Sequence, residues 1–141
     1  MTTTFLSNAT IAITQGATTT VLSGQANNCS VAVGYAPLDV TVFGDAGSRM
    51  TQGLQTVDVT IDFFLSYGAA EVEAILYSCL GTGTTTLTIS PSGASETASN
   101  PEYVISNCML ANFTPINSQV GAIATVSAQF TSGTWVRDVT P

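Results

Sequence analysis

Asp58 and Asp62 are the one pair of residues in this sequence whose types and spacing invite a catalytic reading. Two carboxyl groups facing one substrate can divide into a general acid and a base or nucleophile. They fall in the longest strictly alternating run of the chain, Thr56-Val57-Asp58-Val59-Thr60-Ile61-Asp62-Phe63. Successive side chains on a strand point to opposite faces, so Thr56, Asp58, Thr60 and Asp62 share one face. Val57, Val59, Ile61 and Phe63 share the other. Four residues at ~3.3 Å each place the two carboxylates about 13 Å apart, beyond the roughly 5–9.5 Å of glycosidase pairs. The pair reads as two charges on a wetted face.

Residue types close off most other chemistry. There is no histidine, which removes the commonest general base and transition-metal ligand. The two cations are Arg49 and Arg137, so Schiff-base and P-loop lysines are absent. Serine catalysis would lack a base. Asp39, Asp45, Asp58 and Asp62 do not follow the order or spacing of an EF-hand calcium loop. Cys29, Cys79 and Cys108 are odd in number and widely spaced, with no CxxC; they read as small buried apolar residues. No catalytic residue, cofactor site or metal ligand is expected, and the chain is not expected to be an enzyme.

The elements that position these residues are mostly strands. Phe5 to Thr14 reads as a first strand, with a Thr-rich start suited to an arm or edge strand. Gln15-Gly16 turns the chain, and Thr19 to Leu22 pairs back as a short hairpin. Ser23 to Asn28 is loop chemistry. Ser30 to Tyr35 is a strand that Ala36-Pro37 should break, because proline has no N–H for a ladder. Asp39 to Phe43 is a further short strand, Gly44 to Gly53 a polar loop, and Thr56 to Phe64 the alternating strand. The period then changes: Val72, Ile75, Leu76, Cys79 and Leu80 follow the spacing of an amphipathic helix. Glu71 and Glu73 suit its positive N-terminus, and Gly81 its stop. Thr84 to Ser90 is β-rich, and Pro91 to Pro101 a polar, mobile loop. Glu102 to Phe113 and Gln119 to Thr131 make a long hairpin around Pro115-Ile116-Asn117, in which Thr125, Ser127 and Gln129 face opposite to Val126, Ala128 and Phe130. Trp135 lies in a final short strand. The expected fold is mainly β: an antiparallel β-sandwich or barrel in one domain, 1–141, with one helix at about 69–80 packed on it.

The net charge is −7, from nine carboxylates against two arginines. Gripping phosphates takes Lys and Arg, so specific nucleic-acid binding is excluded. The chain is 45% hydrophobic but only 8% charged, against about 25% charged in ordinary soluble domains. Its surface is therefore rich in Thr, Ser, Asn and Gly, or partly covered by other subunits. MTTTFLSNATIAIT lacks the basic region and apolar core of a signal peptide. No run approaches the ~18 apolar residues of a membrane helix.

The sequence DVTVFGD, a short polar loop, Gly53-Leu54, the alternating strand and a helix ending before Gly81 occur in that order. They are followed by a closing hairpin whose second strand reads VGAIATVSAQFTSGTWVRD. This resembles the tail tube proteins of long-tailed bacteriophages, which are similar in fold to other contractile-injection tube proteins. The resemblance covers roughly Asp39 to Asp138. It implies a structural virion protein, made in the host cytoplasm, that forms hexameric rings stacked head to tail. Four strands per subunit would join into one barrel around a lumen that conducts DNA and the tape-measure protein without binding them specifically. Other tail proteins would cap the tube, and no membrane is involved. The implied lumen face carries Thr56, Asp58, Thr60, Asp62, Thr125, Ser127 and Gln129. The implied inter-ring contacts come from an extended arm at about 1–8 and the loop 44–53, with Asp45, Arg49, Met50 and Gln52. Two other readings fit the composition: a tail-terminator or capsid-decoration protein, and a non-viral β-sandwich binding module.

Overall fold

The computed structural model describes residues 9–141. The arm expected at about 1–8, and the start of the first strand from Phe5, lie outside the described residues. Eight strands and one helix follow in order: β1 (Thr10–Gln15), β2 (Thr18–Val21), β3 (Ala26–Asp39), β4 (Met50–Phe64), α1 (Val72–Cys79), β5 (Thr85–Ser90), β6 (Glu102–Asn112), β7 (Thr125–Thr131) and β8 (Thr134–Asp138). All strand pairs are antiparallel and form one hydrogen-bonded path, β2-β1-β5-β6-β7-β4-β3, with β8 also on β6.

The path folds over at β6. On one side β6 pairs with β5, Leu87 opposite Ile105. On the other it pairs with β8 along its first half and β7 along its second. The partners run in one line: Ser106 faces Thr134 and Met109 faces Thr131. Between those pairs the backbone turns left-handed at Asn107 (φ 58), Ser132 (φ 65) and Gly133 (φ 95). A side chain at Gly133 would run into the Ser106 carbonyl oxygen and sit 3.0 Å from the Asn107 carbonyl carbon. Glycine is what allows the two strands to touch while they bend together from one layer into the other.

The two layers and α1 close on a shared core. Alternation supplies it from every side: Ile11 and Ile13 from β1, Leu87 and Ile89 from β5, Ile105 and Leu110 from β6. Val57, Val59, Ile61 and Phe63 come from β4, and Val126, Ala128 and Phe130 from β7. Phe63 and Phe130 are fully buried, each contributing roughly 1.5–3 kcal/mol relative to exposure. Helix α1 adds Val72, Leu76 and Cys79. Cys108 is buried too and Cys29 half-buried, all three cysteines being free. Burial raises the Cys29 and Cys108 thiols to about 11.

Several boundaries differ from the sequence reading. Pro37 does not end a strand: β3 runs from Ala26, inside the expected Ser23–Asn28 loop, through Pro37 to Asp39. The ladder shifts register between Tyr35 and Pro37, and such a bulge, here on the outermost strand of its sheet, leaves the missing N–H without cost. Residues 40–43 form no strand, and β4 starts early at Met50 because β3 offers it partners that far out. Residues 119–124 are not strand either, since the ladder of β7 with β4 begins at Thr125 opposite Phe64. The helix starts after Ala70, whose φ of 61 cannot belong to it. Leu80, expected on its apolar stripe, caps its end and is exposed. The loop 91–101 is tied by Asn100, whose amide donates to the Ala94 and Ser95 carbonyls.

Candidate assembly surfaces

The β4 face opposite the core gathers the residues singled out by alternation. Register aligns them in cross-strand rows with β3 and β7. Asn28, Asp62 and Ser127 form one row, Ser30, Thr60 and Gln129 the next, and Ala32, Asp58 and Thr131 a third. Thr125 stands opposite Phe64, and Thr56 opposite Gly34. Thr56, Asp58, Thr60, Asp62, Thr125, Ser127 and Gln129 thus lie on one solvent-facing surface. Asp62 accepts a hydrogen bond from Asn28 Nδ2 at 3.1 Å, and Asp58 one from Thr131 Oγ1 at 3.5 Å. No arginine stands in these rows, so the surface is acidic and otherwise made of small polar groups.

Among the described residues, this four-stranded half, β6-β7-β4-β3, has one open edge at β3. Its other boundary is β6, whose second half is met on that side by Leu80 against Leu110 and by Gly81 N–H donating to the Leu110 carbonyl. The ladder of β4 with β7 ends at Asp58, and β8 beyond it pairs with β6 instead. There Gln55 takes over the ladder, its amide nitrogen donating to the Trp135 carbonyl at 3.2 Å and its oxygen accepting the Trp135 N–H at 3.3 Å. The Trp135 indole donates to the Gly34 carbonyl and meets Tyr35 edge-on at 5.6 Å.

Beyond Tyr35 and Gln55 the β3–β4 hairpin continues as a two-stranded ribbon. Its apolar side chains Leu38, Val42, Phe43, Met50 and Leu54 are exposed, Phe43 wholly (108%) and Leu54 at 85%. An isolated two-stranded ribbon is at best marginal in water, and exposed apolar patches mark interaction sites. Asp45 and Arg49 lie in its tip and pair at 3.8 Å. Met50 and Gln52, expected in the loop, belong to β4 and stand opposite Asp39 and Pro37. The sequence reading placed Phe43 in a short strand and did not single it out; its full exposure follows the apolar run Val40-Thr41-Val42-Phe43 ahead of Gly44.

At the opposite end, Glu71 is held by tertiary contacts as well as by the helix start. It accepts from Ser66 Oγ and Gln25 Nε2, both at 2.8 Å, and these bonds lower its carboxyl below the ordinary range. Elsewhere Glu102 faces Asp138 across the ladder. Partial burial, then the neighbouring Glu96 and Asp138, raise its carboxyl. Among the described residues no group of three or more His, Cys, Asp or Glu could hold a metal. No helix of the described residues is long and apolar enough to cross a membrane.

No family model and no curated protein matches the sequence. The fold has clear counterparts. A chain from the sheath/tube terminator of an extracellular contractile injection system (PVC, extended state) superposes with a TM-score of 0.69 at 12% identity, over 98% of each chain. A chain from the sheath-tube complex of that system gives 0.65 at 12% identity, over 98% of this chain and 93% of the other. A chain from the virion of a native gene transfer agent particle gives 0.65 at 7% identity, covering 91% and 95%. The chain has the tail-tube-like fold shared by these particle components.

Proposed function

We propose that this chain is a structural subunit of a tail, one that forms hexameric rings and stacks them into a tube through which DNA passes. The observation that carries the reading is the surface built by β3, β4 and β7: acidic, finely polar, free of cations, and backed by a fully apolar face. Lining a lumen, such a wall would repel phosphates and let duplex DNA slide. Asp58 and Asp62 would then recur once per subunit around it. The open β3 edge supports ring closure, since an unpaired edge is a template for another strand and a closed barrel removes it. The exposed ribbon supports stacking, with Asp45, Arg49, Met50 and Gln52 as contact residues between rings. Other tail proteins would meet the tube at its ends, and the protein would be made in the host cytoplasm and reside in the virion. It would take no cofactor and catalyse nothing.

A second reading has a specific observation behind it. Similar chains also come from a sheath/tube terminator and from a tube-terminating cap, so a single capping ring uses this fold equally well. Negative-stain electron microscopy of the purified protein tests both. Long hollow tubes with six-fold end views support the tube subunit, and rings that never stack support the terminator. A stable monomer at high concentration refutes both.

A further inference from the structure

The exposed ribbon tip has a counterpart elsewhere on the same molecule. Between the outer face of α1 and the loop 113–124 lies an open groove of about 460 Å³, walled by Tyr67, Tyr77, Leu80, Phe113 and Ile116. Tyr67 Oη donates to the Pro115 carbonyl at 2.6 Å, fixing one wall to the loop. Glu73 is the one charge along it. The tip is equally prepared. Asp45 N–H donates to the Val42 carbonyl, closing a turn that places Phe43 outermost, with Gly44 next at φ 98. Asp45 accepts from Val42 N–H at 2.9 Å, Asp39 from Thr41 N–H at 2.9 Å, and Thr41 Oγ1 from Arg49 N–H at 2.8 Å. These bonds order the backbone that presents the bare aromatic, so little backbone freedom remains to be lost on docking.

Placement decides what the tip can reach. It projects from the Met50 end of β4, and the groove lies toward the Phe64 end, where Leu65 N–H donates to the Ala124 carbonyl. Fifteen strand residues at ~3.3 Å each span roughly 45 Å, so a tip cannot fold back into its own groove. Resting on the stacking proposed above, we infer that Phe43 of one copy inserts into the Tyr67–Tyr77–Ile116 groove of a copy in the next ring, with Arg49 approaching Glu73. The contact joins different surfaces of identical chains along the strand axis, the heterologous geometry that grows open filaments.

Photo-cross-linking tests this directly. The full chain carrying p-benzoylphenylalanine at position 43 is assembled from mixed ¹⁵N- and ¹⁴N-labelled protein and irradiated, and the linked peptides are sequenced. Expected are links between copies to residues 67–80 or 113–120. Links within one copy, or to another surface of a second copy, overturn the pairing while leaving tubes intact. Protein that stays monomeric overturns the stacking reading as well. In parallel, Phe43→Ala and Ile116→Ala should each raise the concentration needed for assembly by about tenfold or more, with a double variant little worse than either. Fully additive losses would mean that the two residues do not meet.

Discussion

Replacing Gly133 by Ala should cost far more than the same change at Gly121, although both glycines have left-handed backbones. A methyl added at Gly121 (φ 82) would have nothing within 4 Å, whereas Gly133 (φ 95) is pressed against β6. At Gly121 the cost is conformational alone, about 1–2 kcal/mol for an L-residue in that region. At Gly133 the same cost applies, but the methyl also meets the Ser106 carbonyl oxygen, the Asn107 carbonyl carbon and the Cys108 nitrogen, these last two at 3.0 Å. All are backbone, so no rotamer change relieves the contact. The strands must part, weakening the ladder at Ser106–Thr134 and Met109–Thr131 by about 1 kcal/mol per hydrogen bond. Gly133→Ala should therefore cost about 3–5 kcal/mol, roughly 2–3 more than Gly121→Ala. Urea unfolding of dilute protein, followed by Trp135 fluorescence and far-UV circular dichroism, measures both. Equal losses at the two positions would refute the account of how β6 carries the sheet from one layer to the other.

Other predictions concern charge. Arg49 is 59% exposed and, among the described residues, pairs only with Asp45, so Arg49→Glu should change folding stability by no more than about 0.5 kcal/mol. It should weaken assembly in sedimentation strongly; equal loss of both would sink an interface role. Assemblies of the Asp58→Lys, Asp62→Lys double variant should retain duplex DNA in a salt-dependent way, and those of the unmodified protein should not. Co-sedimentation showing no difference would remove these residues from the lumen. Glu71 has a lowered carboxyl, so its contribution is present above the ordinary 4.5 and lost as pH falls through the lowered value. Glu71→Gln should flatten the acid side of a melting-temperature profile. Glu102 is raised, so the folded state binds its proton more readily and stability falls as pH climbs from about 4.5 through the raised value. Glu102→Gln should raise the melting temperature at pH 7, and an unchanged value would show that Glu96 and Asp138 do not strain it.

Much of the fold is legible in the sequence because strand alternation is local. The run Thr56 to Phe63 announces which side chains of β4 are wet and which dry, and Thr125 to Phe130 does the same for β7. The helix is equally plain from Val72, Leu76 and Cys79. The strand limits are less so. A strand exists only where a neighbour completes its ladder, and no window around Pro37, Met50 or Val120 reveals that neighbour. Pro37 reads as a terminator because its missing N–H matters in a ladder, whereas a bulge on an edge strand leaves it harmless. Gln119 to Ala124 looks like strand by composition, yet β4 has no residue in register to receive it.

By itself, the sequence determined which reactive residue types are present and which residues share a face. It contains neither histidine nor lysine, and period-two patterning places Asp58 and Asp62 with the small polar residues. Only the tertiary structure decided what those faces add up to. The β3–β4 hairpin and the sequence-distant β7 merge their polar sides into one acidic wall, and the bend at Gly133 closes the apolar sides on one core. The long β4 holds a bare Phe43 at one end and an apolar groove near the other. Those juxtapositions depend on register and strand length, quantities set by long-range pairing that a reading of neighbouring residues does not contain.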